Sequence, residues 1–383
     1  MRKRVIYKLC TVLGTNFIGK KTKKSMKILH VLTSPRAEGT PRLVLDWLTV
    51  KEHQQYVLFL QKEPADLLNS FSSTEVFVNP QLPKGYKKIA VIFNVVKKIC
   101  KTFKPDVVIA WNTGLAPFIL FSARLTNVKK LIAHCGNAPS ESFFGKYIYT
   151  WFTFYVCKII GAKIVCCSNY LKHEFCSIPL VPKKNVYSVH NCVNQSKFNG
   201  INKSVNQLIT TAIMVATLEP HKDHVTLLKA WKIVENTLTY AKLQLVGSGS
   251  LELKLKILAR DLGLKNVEFL GSREDVPELL KKADFFVFST THNEGFGTVL
   301  IEALSVGLPI IATNVPACNE VLQEGKYGYL VEPYNEYSLA EAIMHVFQDK
   351  SFFDEEKINE RKEYAASFSP KAMIDKYLSI LNP

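Results

Sequence analysis

Short apolar runs alternate with helix-like segments along most of the chain, and the pattern restarts near residue 208. In the first half the apolar runs are KILHVLT, DVVIAW, KLIAH and KIVCCS; in the second they are LITTAIMVA, KLQLV, VEFL, DFFVFS and PIIAT. Short and nearly continuous apolar runs are typical of parallel strands that are buried on both faces. The alternation therefore predicts two α/β domains, each a parallel sheet covered by helices.

The length fits two such domains, because 383 residues exceed the roughly 100–200 that one domain commonly holds. The Lys-, Asn- and Ser-rich stretch at residues 194–206 marks the expected junction. We therefore expect an N-terminal domain over residues 26–200 and a C-terminal domain over residues 201–365. Residues 366–383 are expected to form a helix that packs back on the N-terminal domain. A cleft between two doubly wound domains is the default ligand site.

Basic residues are concentrated in the first half of the chain. Residues 1–200 contain 30 Lys and Arg against 9 Asp and Glu, whereas residues 201–383 contain 19 against 24. This asymmetry favours contact between the N-terminal half and an anionic surface, either a membrane or a nucleic acid. Residues 1–25 alone hold eight basic residues and no acidic one, which predicts a basic N-terminal extension. That extension is either a membrane-surface segment or an upstream start that is not used, and it lacks the cleavage site of a secretory signal.

Two segments of the basic half have unusual patterns. In Lys84–Lys104, apolar residues recur at helical spacing and lysines occupy the other faces, which predicts a basic amphipathic helix. This helix either covers the sheet with a solvated lysine face or lies on a membrane surface. Phe143–Tyr155 holds eight aromatic residues in thirteen positions. We expect most of them in the core and some in an interfacial or acceptor-binding patch.

The apolar runs and the cysteines exclude two other classes of protein. No uncharged stretch reaches 18 consecutive apolar residues, so a transmembrane helix is not expected. The nine cysteines form no C-x-x-C pair and no Cys/His cluster with zinc spacing. Reduced, buried thiols of a cytosolic protein are therefore expected rather than disulfides or a metal site.

The most informative run is HNEGFGTVLIEALSVGLPIIAT at residues 292–313. Glu294 precedes a glycine-rich turn directly before an expected helix, and Glu302 lies two turns into that helix. Helix N-termini offer free N–H groups and a positive dipole end, which suit phosphate. Carboxylates at these positions can accept hydrogen bonds from sugar and ribose hydroxyls. For E-G-x-G alone, the alternative is a glycine-rich turn with two exposed glutamates.

The complete run resembles the retaining GT-B glycosyltransferases of the glycogen-synthase-like superfamily, often called family 4. The resemblance spans about residues 26–365. VHNCVNQSKF at 189–198 is similar to the family's interdomain segment, and VATLEPHKD at 215–223 to its phosphate-binding segment. In the latter, Lys222 is retained, but Thr217 stands where the family has an arginine. The loop AEGTP after the first strand lacks one of the family's glycines.

This resemblance implies two Rossmann-like doubly wound domains that face each other across a cleft, and it implies roles for particular residues. Lys222 would bind the donor diphosphate as a point charge. Glu294 would contact the donor sugar and Glu302 the ribose, while His134 would support the positive charge that develops at C1. The remaining donor-binding residues that the resemblance implies are Gly39, Thr217, Arg273, Gly295, Phe296, Gly297, Thr298 and Val299.

The activity that the resemblance implies is retaining transfer of a hexosyl or N-acetylhexosaminyl group. The sugar would move from a nucleotide-diphosphate sugar to a hydroxyl of a lipid-linked or surface glycan, as in polysaccharide, O-antigen or glycolipid biosynthesis. The chain contains no D-x-D motif, so metal-independent transfer without a cofactor is expected. The expected location is cytoplasmic, peripheral on the inner face of an anionic membrane, without a nucleic-acid partner.

Two alternatives remain open from the sequence. Thr217 motivates a non-catalytic GT-B-like scaffold, because one positive charge on the leaving phosphate is missing. The basic half motivates a nucleic-acid-binding protein, although no recognition motif supports it.

Overall fold

The computed structural model describes residues 25–139, 142–198 and 208–381. Except for Ser25, the expected N-terminal extension over residues 1–25 lies outside these ranges, and so do residues 199–206 of the expected junction. Within the described ranges the chain forms two parallel sheets, each covered by helices.

The first sheet of the described chain has seven strands, all paired in parallel. They are β1 (Lys27–Leu32), β2 (Gln54–Phe59), β3 (Glu75–Val78), β4 (Val107–Ala110), β5 (Lys130–Cys135), β6 (Lys163–Cys166) and β7 (Val186–Ser188). Their spatial order is β3-β2-β1-β4-β5-β6-β7. Because the order reverses between β1 and β4, a crevice opens at the carboxyl ends of these two strands.

Helices cover both faces of this sheet. They are α1 (Gly39–Trp47), α2 (Lys87–Phe103), α3 (Ala116–Arg124), α4 (Thr150–Ile159) and α5 (Asn169–Ser177). A π-helical turn, Phe144–Tyr149, leads directly into α4. Side chains alternate between the two faces of a strand. In β5, Leu131 and Ala133 pack in the core with α2 to α5, whereas Ile132 packs in the core that contains α1.

The second sheet has six described strands, again all parallel. They are β8 (Thr211–Val215), β9 (Lys242–Val246), β10 (Val267–Gly271), β11 (Phe285–Phe288), β12 (Ile310–Thr313) and β13 (Tyr329–Val331). Their order is β10-β9-β8-β11-β12-β13, with the reversal between β8 and β11.

The helices that follow β8 continue to the end of the described chain. They are α6 (His224–Thr237), α7 (Glu252–Asp261), α8 (Val276–Lys282), α9 (Thr298–Ser305), α10 (Pro316–Val321), α11 (Glu336–Gln348), α12 (Glu355–Ala366) and α13 (Pro370–Leu381). Short 3₁₀ turns lie at Leu68–Phe71, Gln195–Phe198, Pro220–Lys222 and Lys350–Phe353.

The last helix, α13, packs on the N-terminal domain beside α1. Tyr377 is fully buried there, and its ring centroid lies 4.9 Å from that of Trp47 in edge-to-face geometry. On the surface, Lys371 Nζ lies 2.7 Å from Glu52 Oε1. The end of the chain is thereby part of the core of the first domain.

The expected α/β fold with two parallel sheets is confirmed. Helix α2 covers the sheet through Ile92, Val96 and Cys100, while Lys97 and Lys98 are exposed, which leaves both a solvated lysine face and a membrane surface open for this segment. The described part of the chain contains no helix long and apolar enough to span a bilayer. Of the nine cysteines, the eight in the described residues are free thiols, and seven of these are buried.

The expectation that most aromatic residues of Phe143–Tyr155 lie in the core is wrong. Within this described segment only Phe154 among the aromatic side chains is buried, and Phe143, Phe144, Phe152 and Tyr155 are exposed. The reason is geometric: helix α4 contacts the sheet through one face, so aromatic residues on its other face stay at the surface.

Candidate active site

The candidate site lies at the carboxyl ends of β8 and β11, the two strands at which the order of the second sheet reverses. Lys222 ends the 3₁₀ turn Pro220–Lys222 after β8, and Glu294 lies in the loop that follows β11. Because these strands are neighbours, the two loops meet at the crevice where ligands of such sheets bind. The fold thus brings together two residues that are 72 positions apart.

Lys222 and Glu294 form an ion pair in which Nζ of the lysine donates to Oε2 of the glutamate. Their side chains are only 15% and 10% exposed. The ammonium also lies over the Phe288 ring, 5.2 Å from its centroid. Burial opposes ionisation of Glu294, but the adjacent Lys222 outweighs it, so the pKa of this carboxyl lies below its usual value. The site therefore holds a fixed positive charge beside a carboxylate.

The loop after Glu294 gives the glutamate a second set of partners. Oε1 of Glu294 accepts hydrogen bonds from the backbone N–H groups of Gly295 and Gly297, at 3.1 Å each. Gly297 has φ +76°, in the left-handed region that favours glycine, and α9 begins at the next residue. The carboxylate thus lies against N–H groups at the amino end of a helix, where an anionic ligand is also stabilised.

Gly295 lies where the two domains touch. Its carbonyl oxygen accepts a hydrogen bond of 2.7 Å from Ser168 Oγ of the N-terminal domain. A Cβ atom on Gly295 would lie 2.0 Å from the carbonyl oxygen of Gly136, at the carboxyl end of β5, so no other residue fits without a shift. The glycine therefore permits the close approach of the two domains across the cleft.

Glu302, on α9, faces the N-terminal domain. Burial raises the pKa of the Glu302 carboxyl to about 7; Asp46 on α1 adds to the rise, and Arg42 on α1 opposes it. Arg42 Nη2 also donates to the backbone oxygen of Arg273, at 3.1 Å, across the cleft. Sequence reasoning missed Arg42, because its helix follows the glycine loop without any motif of its own.

Glu320, on α10, joins the two domains through several hydrogen bonds. Its oxygens accept from the backbone N–H groups of Asn169 and Tyr170, both at 2.8 Å, and from the side-chain amide of Asn169 at 3.0 Å. His190 Nε2 lies 2.7 Å from the same carboxylate. Asn169 and Tyr170 begin α5, so the carboxylate also stabilises the positive end of that helix. Glu320 is therefore a contact that favours the closed cleft.

The structure buries the His134 ring at the end of β5, directly beside the cleft residue Gly136. The residue is 1% exposed, and its Nδ1 lies 2.7 Å from the hydroxyl of Tyr377 on α13. Burial lowers the pKa of His134 to about 3. Gly136, two residues further on, is the nearer neighbour of the Glu294 loop. A Cβ atom on Gly136 would lie 3.4 Å from Nε2 of His134, so this edge of the ring is directed towards the cleft residue, and its contact with a donor stays a prediction.

The other predicted residues fall into two groups. The Phe296 ring is buried between His190 and Phe368, at centroid distances of 5.3 and 6.1 Å, so only its backbone can face the loop of Glu294. The Arg273 guanidinium binds Asp275 on the surface. Residues that remain at or next to the cleft are Gly39 at the exposed start of α1, Thr217 directly after β8, and Thr298 and Val299 at the start of α9.

The described residues contain no group of three or more His, Cys, Asp or Glu side chains that could hold a metal ion. Positive charge at the site comes from Lys222, with Arg42 on the opposite domain. A helix N-terminus adds a partial positive charge.

Comparison with solved structures shows which fold the chain shares. The chain superposes on the Anabaena protein HepE in complex with UDP and glucose with a TM-score of 0.80 and 18% identity, covering 93% of this chain and 99% of that one. A glycosyltransferase from Rickettsia africae gives a TM-score of 0.75 at 18% identity, over 94% of this chain and 98% of that chain. The predicted GT-B fold is confirmed.

A family model also matches the C-terminal part of the chain. Residues 198–368, which contain the Lys222–Glu294 pair, match the model of the glycosyl transferases group 1.

Two curated relatives are similar over nearly the whole chain. The UDP-Gal:α-D-GlcNAc-diphosphoundecaprenol α-1,3-galactosyltransferase of Escherichia coli is 28% identical over 354 residues, covering 86% of this chain and 90% of the relative. The capsular polysaccharide biosynthesis glycosyltransferase CapM of Staphylococcus aureus is 23% identical over 381 residues, covering 94% of this chain and 97% of the relative.

Proposed function

We propose that this protein transfers a hexosyl or N-acetylhexosaminyl group from a nucleotide-diphosphate sugar to a hydroxyl of a lipid-linked or surface glycan, with retention of configuration. The observation that carries the proposal is the Lys222–Glu294 pair at the switch point of the second sheet. A cation for the diphosphate and a carboxylate for sugar hydroxyls are the two groups that such a donor needs.

The proposed chemistry uses these residues at the leaving group. The bond between C1 of the sugar and the phosphate oxygen breaks, and its electron pair leaves with the nucleoside diphosphate. Lys222 and the N–H groups at the start of α9 stabilise the negative charge that develops on the leaving diphosphate. Hydrogen-bond donors held in place at such a position lower the activation barrier. The acceptor oxygen bonds to C1 on the same face, and its proton passes to a phosphate oxygen. No external base is needed for this step.

The two domains have different roles in this proposal. The C-terminal domain binds the donor through Lys222, Glu294 and Glu302, and the N-terminal domain presents the acceptor. Closure through Glu320 and Gly295 aligns C1 with the acceptor oxygen and excludes water. Relatives named for transfer to a diphosphoundecaprenol-linked sugar and for capsular polysaccharide biosynthesis support a lipid-linked or surface glycan as the acceptor.

We further propose that transfer needs no metal ion and takes place at the inner face of the cytoplasmic membrane. The support for metal independence is that Lys222 and the start of α9 supply positive charge where a metal ion would otherwise be required. The support for a membrane location is the basic N-terminal half together with a lipid-linked acceptor.

A panel of nucleotide sugars tests the donor. Selective stabilisation by one member in a thermal-shift experiment would identify base and sugar, because a ligand that binds only the folded state raises the melting temperature. NMR of the first-formed product then tests the stereochemistry, and an inverted anomeric configuration would rule out the same-face mechanism. A scaffold without activity, which Thr217 motivates, would bind a donor but neither hydrolyse nor transfer it.

A further inference from the structure

The outer face of α4 and of the π-helical turn before it carries an exposed apolar stripe. Phe143, Phe144 and Ile159 are 71%, 67% and 79% exposed, and the members between them are each exposed by more than two fifths. We call the following set the aromatic stripe: Phe143, Phe144, Ile148, Phe152, Tyr155 and Ile159. From Phe144 onwards the members are spaced by four, four, three and four residues, so they follow one face of the continuous helical segment.

The opposite side of the same segment is the one that contacts the sheet. Phe154, Cys157 and Ile160 are buried in the core of the domain. The stripe therefore lies on the side of the segment that faces away from the core. Contiguous exposed apolar surface on a folded domain marks an interaction site.

The charged residues of the three helical segments on this face are all basic. Helices α2, α3 and α4 lie side by side on this face of the sheet, with Phe93 and Phe121 linking α2 to α3 and Phe118 and Phe152 linking α3 to α4. Residues 84–104, 116–130 and 142–160 together contain twelve Lys and Arg and no Asp or Glu. An apolar stripe with basic residues beside it is typical of surfaces that bind anionic bilayers.

We propose that the aromatic stripe inserts into the interfacial region of an anionic lipid bilayer, with the lysines of α2 on the headgroups beside it. This inference rests on the proposed use of a membrane-bound acceptor and adds the surface by which the enzyme reaches it. Aromatic side chains favour the interfacial depth of a bilayer. A second copy of the chain fits less well, because a two-fold interface would oppose two uniformly basic surfaces.

The stripe also has a defined position relative to the cleft. It begins at Phe143, seven residues after Gly136, whose carbonyl faces Gly295 across the domain boundary. Because α4 connects the parallel strands β5 and β6, it runs antiparallel to them and starts at their carboxyl ends, the edge at which Gly136 lies. A bilayer on the stripe therefore lies next to the mouth of the cleft, where a lipid-linked acceptor enters.

Trp151 gives a built-in reporter for this surface. All four tryptophans of the chain lie in the described part, and Trp47, Trp111 and Trp231 are buried, whereas Trp151 on α4 is half-buried. Lipids brominated on their acyl chains quench tryptophan emission only at contact. Insertion of the stripe is expected to quench Trp151 in the full-length protein, and Trp151→Phe is expected to remove that quenching.

The test is flotation of the full chain with vesicles of phosphatidylglycerol and phosphatidylcholine, against vesicles of phosphatidylcholine alone, at about 150 mM salt, where long-range charge effects are screened. The triple variant Phe143→Ser, Phe144→Ser, Ile159→Ser is expected to lower the partition coefficient on the anionic vesicles at least tenfold and to abolish the quenching. Leu253→Ser with Tyr337→Ser, which removes exposed apolar residues from the C-terminal domain, is the matched control and is expected to bind like the wild type.

Three results would overturn the proposal: unchanged flotation of the triple variant, vesicle binding without quenching of Trp151, or a wild-type dimer that the triple variant converts to monomer while neither binds vesicles. The second result would assign binding to the basic residues 1–25 alone. Donor binding is measured in parallel by thermal shift without vesicles. Absence of donor binding by the wild type would refute the proposed function. The triple variant of the stripe is expected to bind the donor as the wild type does.

Discussion

Lys222 and Glu294 form a mostly buried ion pair, although 72 residues separate them in the chain. Each residue extends from a loop at the carboxyl end of one of two neighbouring strands, β8 and β11. The pair holds a cation and a carboxylate in one place before any ligand arrives. When a nucleotide-diphosphate sugar binds, its diphosphate can replace the Glu294 carboxylate as the partner of Lys222. Its sugar hydroxyls can replace the Lys222 ammonium as the partner of Glu294.

The first prediction concerns the stability of the pair. Lys222→Met or Glu294→Gln alone is expected to lower the free energy of unfolding by about 3–5 kcal/mol, because each leaves a buried charge without its partner. The double variant is expected to recover much of this loss, which a double-mutant cycle by urea denaturation measures. The same cycle on the exposed pair Glu252–Lys256 of α7 should give about 1 kcal/mol or less. Equal coupling energies in the two cycles would contradict the conclusion that the Lys222–Glu294 pair is buried.

The second prediction concerns Glu302 and pH. Its pKa is raised to about 7 in the folded protein, so between about pH 4.5 and 7 the unfolded state releases this proton while the folded state keeps it. The protein should therefore lose up to about 3 kcal/mol of stability as pH rises through this window, with no further loss from this group above it. Glu302→Gln should remove this slope and be more stable than the wild type at pH 8. A Glu302→Gln variant with an unchanged slope would show that another group titrates.

The third prediction concerns the closed cleft. Glu320→Ala removes the acceptor for the start of α5 and for His190, so the domains are expected to open. Small-angle X-ray scattering should then show a larger radius of gyration, and transfer should slow more than donor binding weakens. Glu341→Ala, an exposed position on α11, serves as the control. An unchanged radius together with unchanged turnover would mean that closure does not depend on this carboxylate.

The fourth prediction separates a structural from a direct role for His134. Tyr377→Phe removes the hydroxyl that lies 2.7 Å from the buried His134 Nδ1 and is expected to cost about 1–3 kcal/mol of stability. Donor affinity, measured by titration calorimetry below the melting temperature, should stay within about twofold of the wild-type value. Such a change in binding free energy is smaller than the contribution of one hydrogen bond. A large loss of donor affinity at full stability would instead place the His134 ring in contact with the donor.

The fifth prediction concerns metal ions. Transfer is expected to continue in the presence of excess EDTA, because Lys222 and the start of α9 carry the charge of the leaving diphosphate. The rate of donor consumption with and without chelator measures this. Activity that falls with EDTA and returns with a divalent cation would refute metal independence.

The fold was predictable where the local pattern is strong. In the run KLQLV, Leu243, Leu245 and Val246 are buried, and strand β9 covers the run, Lys242–Val246. Strand β2 and the edge strand β3 were missed, because the first half of β2 and all of β3 lack continuous burial. A strand that forms mainly because it pairs with a neighbouring strand shows little pattern in its own sequence.

The site was predictable only in part, for a similar reason. The motif at residues 292–313 locates Glu294, and the resemblance of residues 215–223 to the family's phosphate-binding segment locates Lys222. His134 sits at the end of a strand as expected, but side chains alternate between faces, and its face is the one covered by Tyr377, 243 residues later. The aromatic stripe was counted mostly as core, because composition shows that a helix is apolar but not which of its sides meets the sheet.

Calorimetric titration of nucleoside diphosphates tests directly whether the Lys222–Glu294 cleft holds a nucleotide-diphosphate donor. We expect one nucleoside diphosphate to bind the wild type and to bind Lys222→Met at least tenfold more weakly, a difference of about 1.4 kcal/mol or more, while Lys256→Met on α7 is unaffected. Equal affinity of the wild type and Lys222→Met, or no binding of any nucleoside diphosphate to the wild type, would contradict this expectation.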